Sequence, residues 1–127
     1  MPWRESFHVP PNIHQNPIPS ISRVGSMVFT PVISGRDAET NQVPDDPAKQ
    51  AENCFANLRR MLEKAGAKPE HVGHVTVYIG NNDLRSHVNK PWVEMFPDEH
   101  ARPARHAIIN ESLGNSIQIE AIAVIGG

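Results

Sequence analysis

The chain has 127 residues, enough for one domain with a buried core, and its 12 basic against 14 acidic residues leave a net charge of −2. No basic stripe or aromatic-basic interleaving runs through it, which removes the electrostatic support for binding nucleic acid. A single cysteine, Cys54, excludes an internal disulfide and fits a reducing compartment, and no apolar run reaches membrane-spanning length. The N-terminus, MPWRESFHVPPN, lacks the apolar core of a signal peptide, so the expectation is a soluble cytoplasmic protein without a membrane partner.

Six prolines fall within the first 31 residues (Pro2, Pro10, Pro11, Pro17, Pro19, Pro31), so residues 1–23 read as an extended entry to a single domain spanning 1–127. Residues 3–9 form a candidate edge strand that Pro10-Pro11 stops. Val24 to Ile33 is the next strand, with Gly25 at its entry and Pro31 bending it, ending it or confining it to an edge. Ser34 to Asp46 is polar and reads as a surface loop.

The first helix has start and stop signals. Asp45 or Asp46 caps it, Pro47 opens the first turn, and Gly66 follows the last. Between them Ala51, Cys54, Phe55, Leu58, Met61, Leu62 and Ala65 recur at helical spacing. Cys54 lies on that stripe and reads as a small core residue rather than a nucleophile. A strand over 71–79 follows, with Val75, Val77 and Ile79 on one face and His74, Thr76 and Tyr78 on the other. Gly80-Asn81-Asn82 turns the chain, and Asn82 or Asp83 caps a second helix with Leu84, Val88, Trp92, Met95 and Phe96 as its stripe. Pro91 predicts a kink or a restart near Asn89.

The last quarter, Ala101 to Val124, reads as two short strands joined by a Gly-Asn turn. In the second, Ile117, Ile119, Ala121 and Ala123 share one face, and Gln118, Glu120, Ile122 and Val124 the other. A carboxylate beside Ile122 and Val124 is costly to desolvate unless something pairs with it or uses it. A hairpin turning near Leu113-Gly114 puts Arg105 roughly opposite Ile122. Glu120 is then its diagonal neighbour at about 7–8 Å, a gap for a small ligand or a water. A structural ion pair at a subunit boundary is the alternative use of the same two residues. Two helices cover one face of a four- or five-stranded sheet, yet both faces of the last strand are apolar, which predicts burial against other copies of the chain.

The ordered set FANLRRMLEKAGA, HVTVYIGNNDLRSHVNKPWVEMFPDE, RPAR and IQIEAIAV resembles the Rid family over about residues 24–125. This is the YjgF-type reactive enamine/imine deaminase family, also labelled endoribonuclease L-PSP or translation inhibitor. The resemblance implies a chorismate-mutase-like α+β fold, a mixed sheet with two helices on one face. It also implies a homotrimer whose sheets form a central barrel, with ligand clefts between subunits. Arg105 of R-P-A-R would clamp a substrate carboxylate and Glu120 of I-E-A-I-A-V would position the hydrolytic water. Ala107 would offer its backbone, and Asn89 of V-N-x-x-W would line the cleft.

The chemistry suits those residue types. A guanidinium binds a carboxylate through two parallel hydrogen bonds, and a carboxylate can take a proton from the water that attacks an imine carbon. No metal or organic cofactor is needed; His71 and His74 split across strand faces without acidic or cysteine partners. Two stretches depart from the family pattern. NPIPSIS places Ile18 where relatives acting on amino-acid-derived imines carry a tyrosine, and TPVIS places Pro31 and Val32 where serine and glycine lie. One wall of the cleft thus loses hydroxyl donors, and the substrate is expected to differ from the usual small 2-imino acids. Three alternatives stay open: a non-catalytic homotrimer binding a carboxylate metabolite, an aminomuconate-type deaminase, and a ribonuclease or translation inhibitor, which the missing basic surface disfavours.

Overall fold

The computed structural model describes residues 2–126. Its strands are β1 (Arg4–Phe7), β2 (Ile21–Val24), β3 (Met27–Phe29), β4 (Ile33–Ser34), β5 (Val72–Ile79), β6 (Ala104–Ile109) and β7 (Ile117–Val124). Its helices are α1 (Pro47–Lys64) and α2 (Arg85–Met95). The strands form one sheet in the order β1-β2-β3-β7-β5-β6, with β4 pairing β7 beyond the end of β3. Only β5 and β6 run parallel, and α2 is the crossover between them.

The core lies between the sheet and the helices. Val75, Val77 and Ile79 of β5 and Ile117, Ile119, Ala121 and Ala123 of β7 are buried against Cys54, Leu58, Met61 and Leu62 of α1 and Val88 of α2. Each such aliphatic side chain contributes about 1.5–3 kcal/mol by leaving water. The α1 signals operate as read: Asp46 accepts a hydrogen bond from the Ala48 amide at 3.2 Å, Pro47 is the first residue, and Gly66 has φ of 84° just past Ala65. Helix α1 also carries buried amides that tie down irregular backbone. Asn57 donates to the carbonyls of Ser34 and Arg36 at 3.1 and 2.9 Å, and Asn53 donates to that of Gly35 at 3.0 Å. The Gln50 side-chain carbonyl accepts from the Ile117 amide at 3.1 Å, fixing the start of β7.

Four expectations change. The single strand over 24–33 is a β2–β3 hairpin followed by β4, because Gly25 takes a positive φ of 59° and turns the chain. Asn81, not Asn82 or Asp83, is the cap: its side chain accepts from the Asp83 amide at 3.1 Å and opens a short 3-10 turn before α2. Helix α2 runs through Pro91 without a restart; the proline is buried and lines a groove with Phe55 and Ala56 of α1, and that packing offsets the lost backbone bond.

The fourth change matters most for function. Strands β6 and β7 do not form a hairpin: β5 lies between them, parallel to β6 and antiparallel to β7. The crossover through α2 places β6 beside β5, and a seven-residue link, 110–116, then carries the chain across the end of β5 to its other side. Gly80 and Gly114 meet at that crossing. A Cβ on Gly80 would stand 1.7 Å from the Gly114 carbonyl oxygen, so no side chain fits there.

Candidate active site

Register fixes which way each candidate residue points. Val75 of β5 faces Arg105 across β6, and Val75 is fully buried under the helices, so Arg105 is on the helix-bearing face. Thr76 faces Glu120 across β7, so Glu120 is on the opposite, uncovered face. The diagonal pairing expected from a hairpin is therefore absent, because inserting β5 reverses the relation of the two faces.

Arg105 is held by an amide and an aromatic ring rather than by an acid among the described residues. Its Nη2 donates to Asn89 Oδ1 at 2.9 Å, and its guanidinium carbon lies 5.2 Å from the centre of the Trp92 ring. Trp92 is wedged edge-on between Phe55 and Phe96, at 6.3 and 4.9 Å between ring centres, so the platform is rigid. No carboxylate pairs with Arg105 among the described residues. Burial, and then the like charge of Arg85, pushes its guanidinium below the ordinary value, and arginine remains a cation throughout the physiological range. The other arginine of R-P-A-R is structural: Arg102 donates from Nε to the Phe96 carbonyl at 2.8 Å, closing the chain after α2. Ala107 follows Arg105 on the same face of β6, half-buried against the core.

Glu120 lines a cleft of about 210 Å³ with Phe29, Thr30, His74, Thr76, Ala121 and Ile122. The Tyr78 hydroxyl donates to its Oε1 at 2.5 Å. The Thr30 hydroxyl accepts from the Ala121 amide at 2.9 Å, locking one wall. His106 sits on this face as well, opposite Thr76, and is exposed. Val32 precedes the paired Ile33 and shares the uncovered face with Ser34 and Gln118, 38% exposed. Ile18 is 40% exposed in the loop before β2 and does not line the Glu120 cleft. The structure thus brings Arg105, Asn89 and Ala107 to one place and Glu120 and Val32 to another. Tyr78 and Trp92 are the residues that sequence reasoning passed over. Tyr78 carried a usable signal, since alternation along β5 and β7 already put it on a polar face. Among the described residues no cluster of His, Cys, Asp or Glu has the makeup of a metal site.

The rest of the uncovered face is apolar. Met27 on β3 and Ile122 and Val124 on the neighbouring β7, with Ile108 on β6 beyond β5, are 38–50% exposed. No helix among the described residues is long and apolar enough to cross a membrane.

A mixed sheet with two helices on one face is the α+β fold of the YjgF/RidA class of proteins. The YjgF gene product of Escherichia coli, 28% identical, superposes with a TM-score of 0.80 over 89% of this chain and 91% of its own. RidA from the Antarctic bacterium Psychrobacter sp. PAMC 21119, 23% identical, shares the fold with a TM-score of 0.82 over 98% and 100% of the two chains. A 2-iminobutanoate/2-iminopropanoate deaminase of Escherichia coli strain K12 is 31% identical over 104 residues, 80% of this chain and 81% of that protein. The endoribonuclease L-PSP family model matches residues 18–125. The chain belongs to the endoribonuclease L-PSP family, the Rid family, which includes imine deaminases.

Proposed function

We propose that this protein is a hydrolytic deaminase of a small reactive enamine or imine carboxylate, and that its site forms where copies of the chain meet. The observation that carries this reading is the state of Arg105, a cation stacked, hydrogen-bonded and left without an acid. Such a group is a ready receptor for a carboxylate, which it grips through two parallel N–H bonds. Glu120 faces the other way, so one chain cannot bring both to a small ligand. The exposed apolar residues around Glu120 support its closure by another copy, whose outer strand β6 delivers Arg105. The homotrimer implied by the family resemblance would supply such a neighbouring copy.

The reaction then proceeds in two steps. Water adds to the carbon of the protonated imine (iminium) of the clamped substrate while Glu120 takes one of the water's protons, giving a neutral tetrahedral carbinolamine. Glu120 returns that proton to nitrogen, the C–N bond breaks to release ammonia, and the hydroxyl proton passes to solvent as the carbonyl of the keto acid forms.

The test is ammonia release from freshly generated 2-imino acids and from aminomuconate. Turnover that both Arg105→Ala and Glu120→Ala abolish is expected. Full activity in both variants removes these residues from the mechanism. A second reading, a trimer that binds a carboxylate metabolite without turning it over, draws on Ile18 and Val32. They present apolar surface where the family pattern has hydroxyl and glycine. Binding of a keto acid without ammonia release from any imine favours it.

A further inference from the structure

Glu120 has two carboxylate oxygens, and the fold occupies one of them. Tyr78 stands opposite Gln118 on β7, and Thr76 opposite Glu120, so the phenol reaches Glu120 as its diagonal neighbour on the shared face. Its O–H lies 2.5 Å from Oε1, at the short end for a hydroxyl donating to a carboxylate. No other side-chain hydrogen bond and no ion pair reaches Glu120 among the described residues. Oε1 is thus engaged by the phenol, and Oε2 has no side-chain hydrogen bond among the described residues.

We propose that Tyr78 is the positioning residue of Glu120: its hydroxyl pins Oε1 and leaves Oε2 to take the proton from the attacking water. The proposal rests on the deaminase reading and adds to it the device that holds the base. A glutamate on a free stem samples several rotamers, and only one aims an oxygen at the water. The phenol selects it without adding charge to a cleft that receives a carboxylate substrate. The donor is also durable. Its hydrogen bond to Glu120, then burial and the charge of that carboxylate, pushes the phenol above its ordinary range, so it remains protonated wherever Glu120 acts as a base. The other titratable groups on this face of the neighbouring strands are His106 on β6, a diagonal neighbour of Tyr78, and His74 on β5, a diagonal neighbour of Glu120.

Tyr78 is the only tyrosine in the chain, so its ionisation can be read directly by tyrosinate absorbance. Two measurements test the proposal. In turnover assays, Tyr78→Phe is expected to lower kcat about 10- to 100-fold with KM nearly unchanged, the signature of a displaced catalytic group. On a Glu120→Gln background the same change is expected to cost nothing further, since the residue acts only through Glu120. Equal losses on both backgrounds, or undiminished kcat in Tyr78→Phe, overturn the proposal.

In the alkaline titration, the wild-type phenol is expected to ionise above free tyrosine and to fall back toward it in Glu120→Gln. An unchanged midpoint means the bond is not formed in solution, and the proposal fails. Wild-type protein that releases no ammonia from any imine defeats the deaminase reading and the catalytic role with it. The absorbance titration then still decides whether the pair exists, so the two failures are told apart.

Discussion

Asn89 on α2 accepts a 2.9 Å hydrogen bond from Arg105 on β6, and this contact joins the helical layer to the outer strand. Of the five N–H donors on a guanidinium it uses one, leaving the others for a ligand. Trp92 beneath supports the plane.

On the proposed function, losing that contact loosens the grip on the substrate carboxylate and spares the chemistry. Asn89→Ala is expected to raise KM about five- to tenfold, or about 1 kcal/mol for one partly exposed charged hydrogen bond, and to leave kcat nearly intact. Arg105→Lys is expected to lose far more, because an ammonium neither forks onto a carboxylate nor stacks on Trp92. Steady-state kinetics on both variants give the comparison; equal KM values in Asn89→Ala and wild type exclude the role.

Tyr78 makes stability depend on alkaline pH with a definite sign. Its folded-state pKa is raised, so the folded chain holds this proton more tightly than the unfolded chain does. The resulting stabilisation is complete below the ordinary tyrosine value of about 10 and is lost as pH climbs through the raised folded value. Denaturant melts from neutral to strongly alkaline pH are expected to show wild type losing its margin over Tyr78→Phe in that window. A margin independent of pH contradicts the assignment.

Cys54 is fully buried and its thiol is pushed well above the usual range by burial alone. The thiolate is the reactive form, so an aromatic disulfide reagent is expected to label no thiol in the native protein and one after unfolding. Rapid labelling of folded protein shows that the α1 stripe opens.

The apolar side chains around the Glu120 cleft predict the assembly state. Ile122→Asp and Val124→Asp put charge into that surface and are expected to dissociate the oligomer while leaving each chain folded. Sedimentation velocity with circular dichroism separates dissociation from unfolding. A wild-type monomer at micromolar concentration sinks the shared-site reading.

Much of the fold could be read from the sequence because local rules dominate there. Asp46, Pro47 and Gly66 bound α1, and alternation along 71–79 and 117–124 sorted inward from outward residues correctly. Strand order could not be read that way. The last two strands carry the composition of a hairpin, and only the α2 crossover, a long-range constraint, decides that β5 separates them. That one topological step moved Arg105 to the other face from Glu120. The residue types were therefore legible while their mutual geometry was not. Arg102 and Arg105 look alike in R-P-A-R, and nothing local says that one clasps backbone while the other bonds Asn89 and lies over Trp92.

Placing the cation and the acid on opposite surfaces has a genetic corollary. On the proposed function, Arg105→Ala and Glu120→Ala chains are each expected to be inactive alone, and each retains the half that the other lacks. In a cyclic trimer every mixed ring contains one junction where an intact arginine meets an intact glutamate, so co-refolding equal amounts restores about a quarter of the wild-type sites. A site completed within one chain would give no such rescue, however the two were mixed.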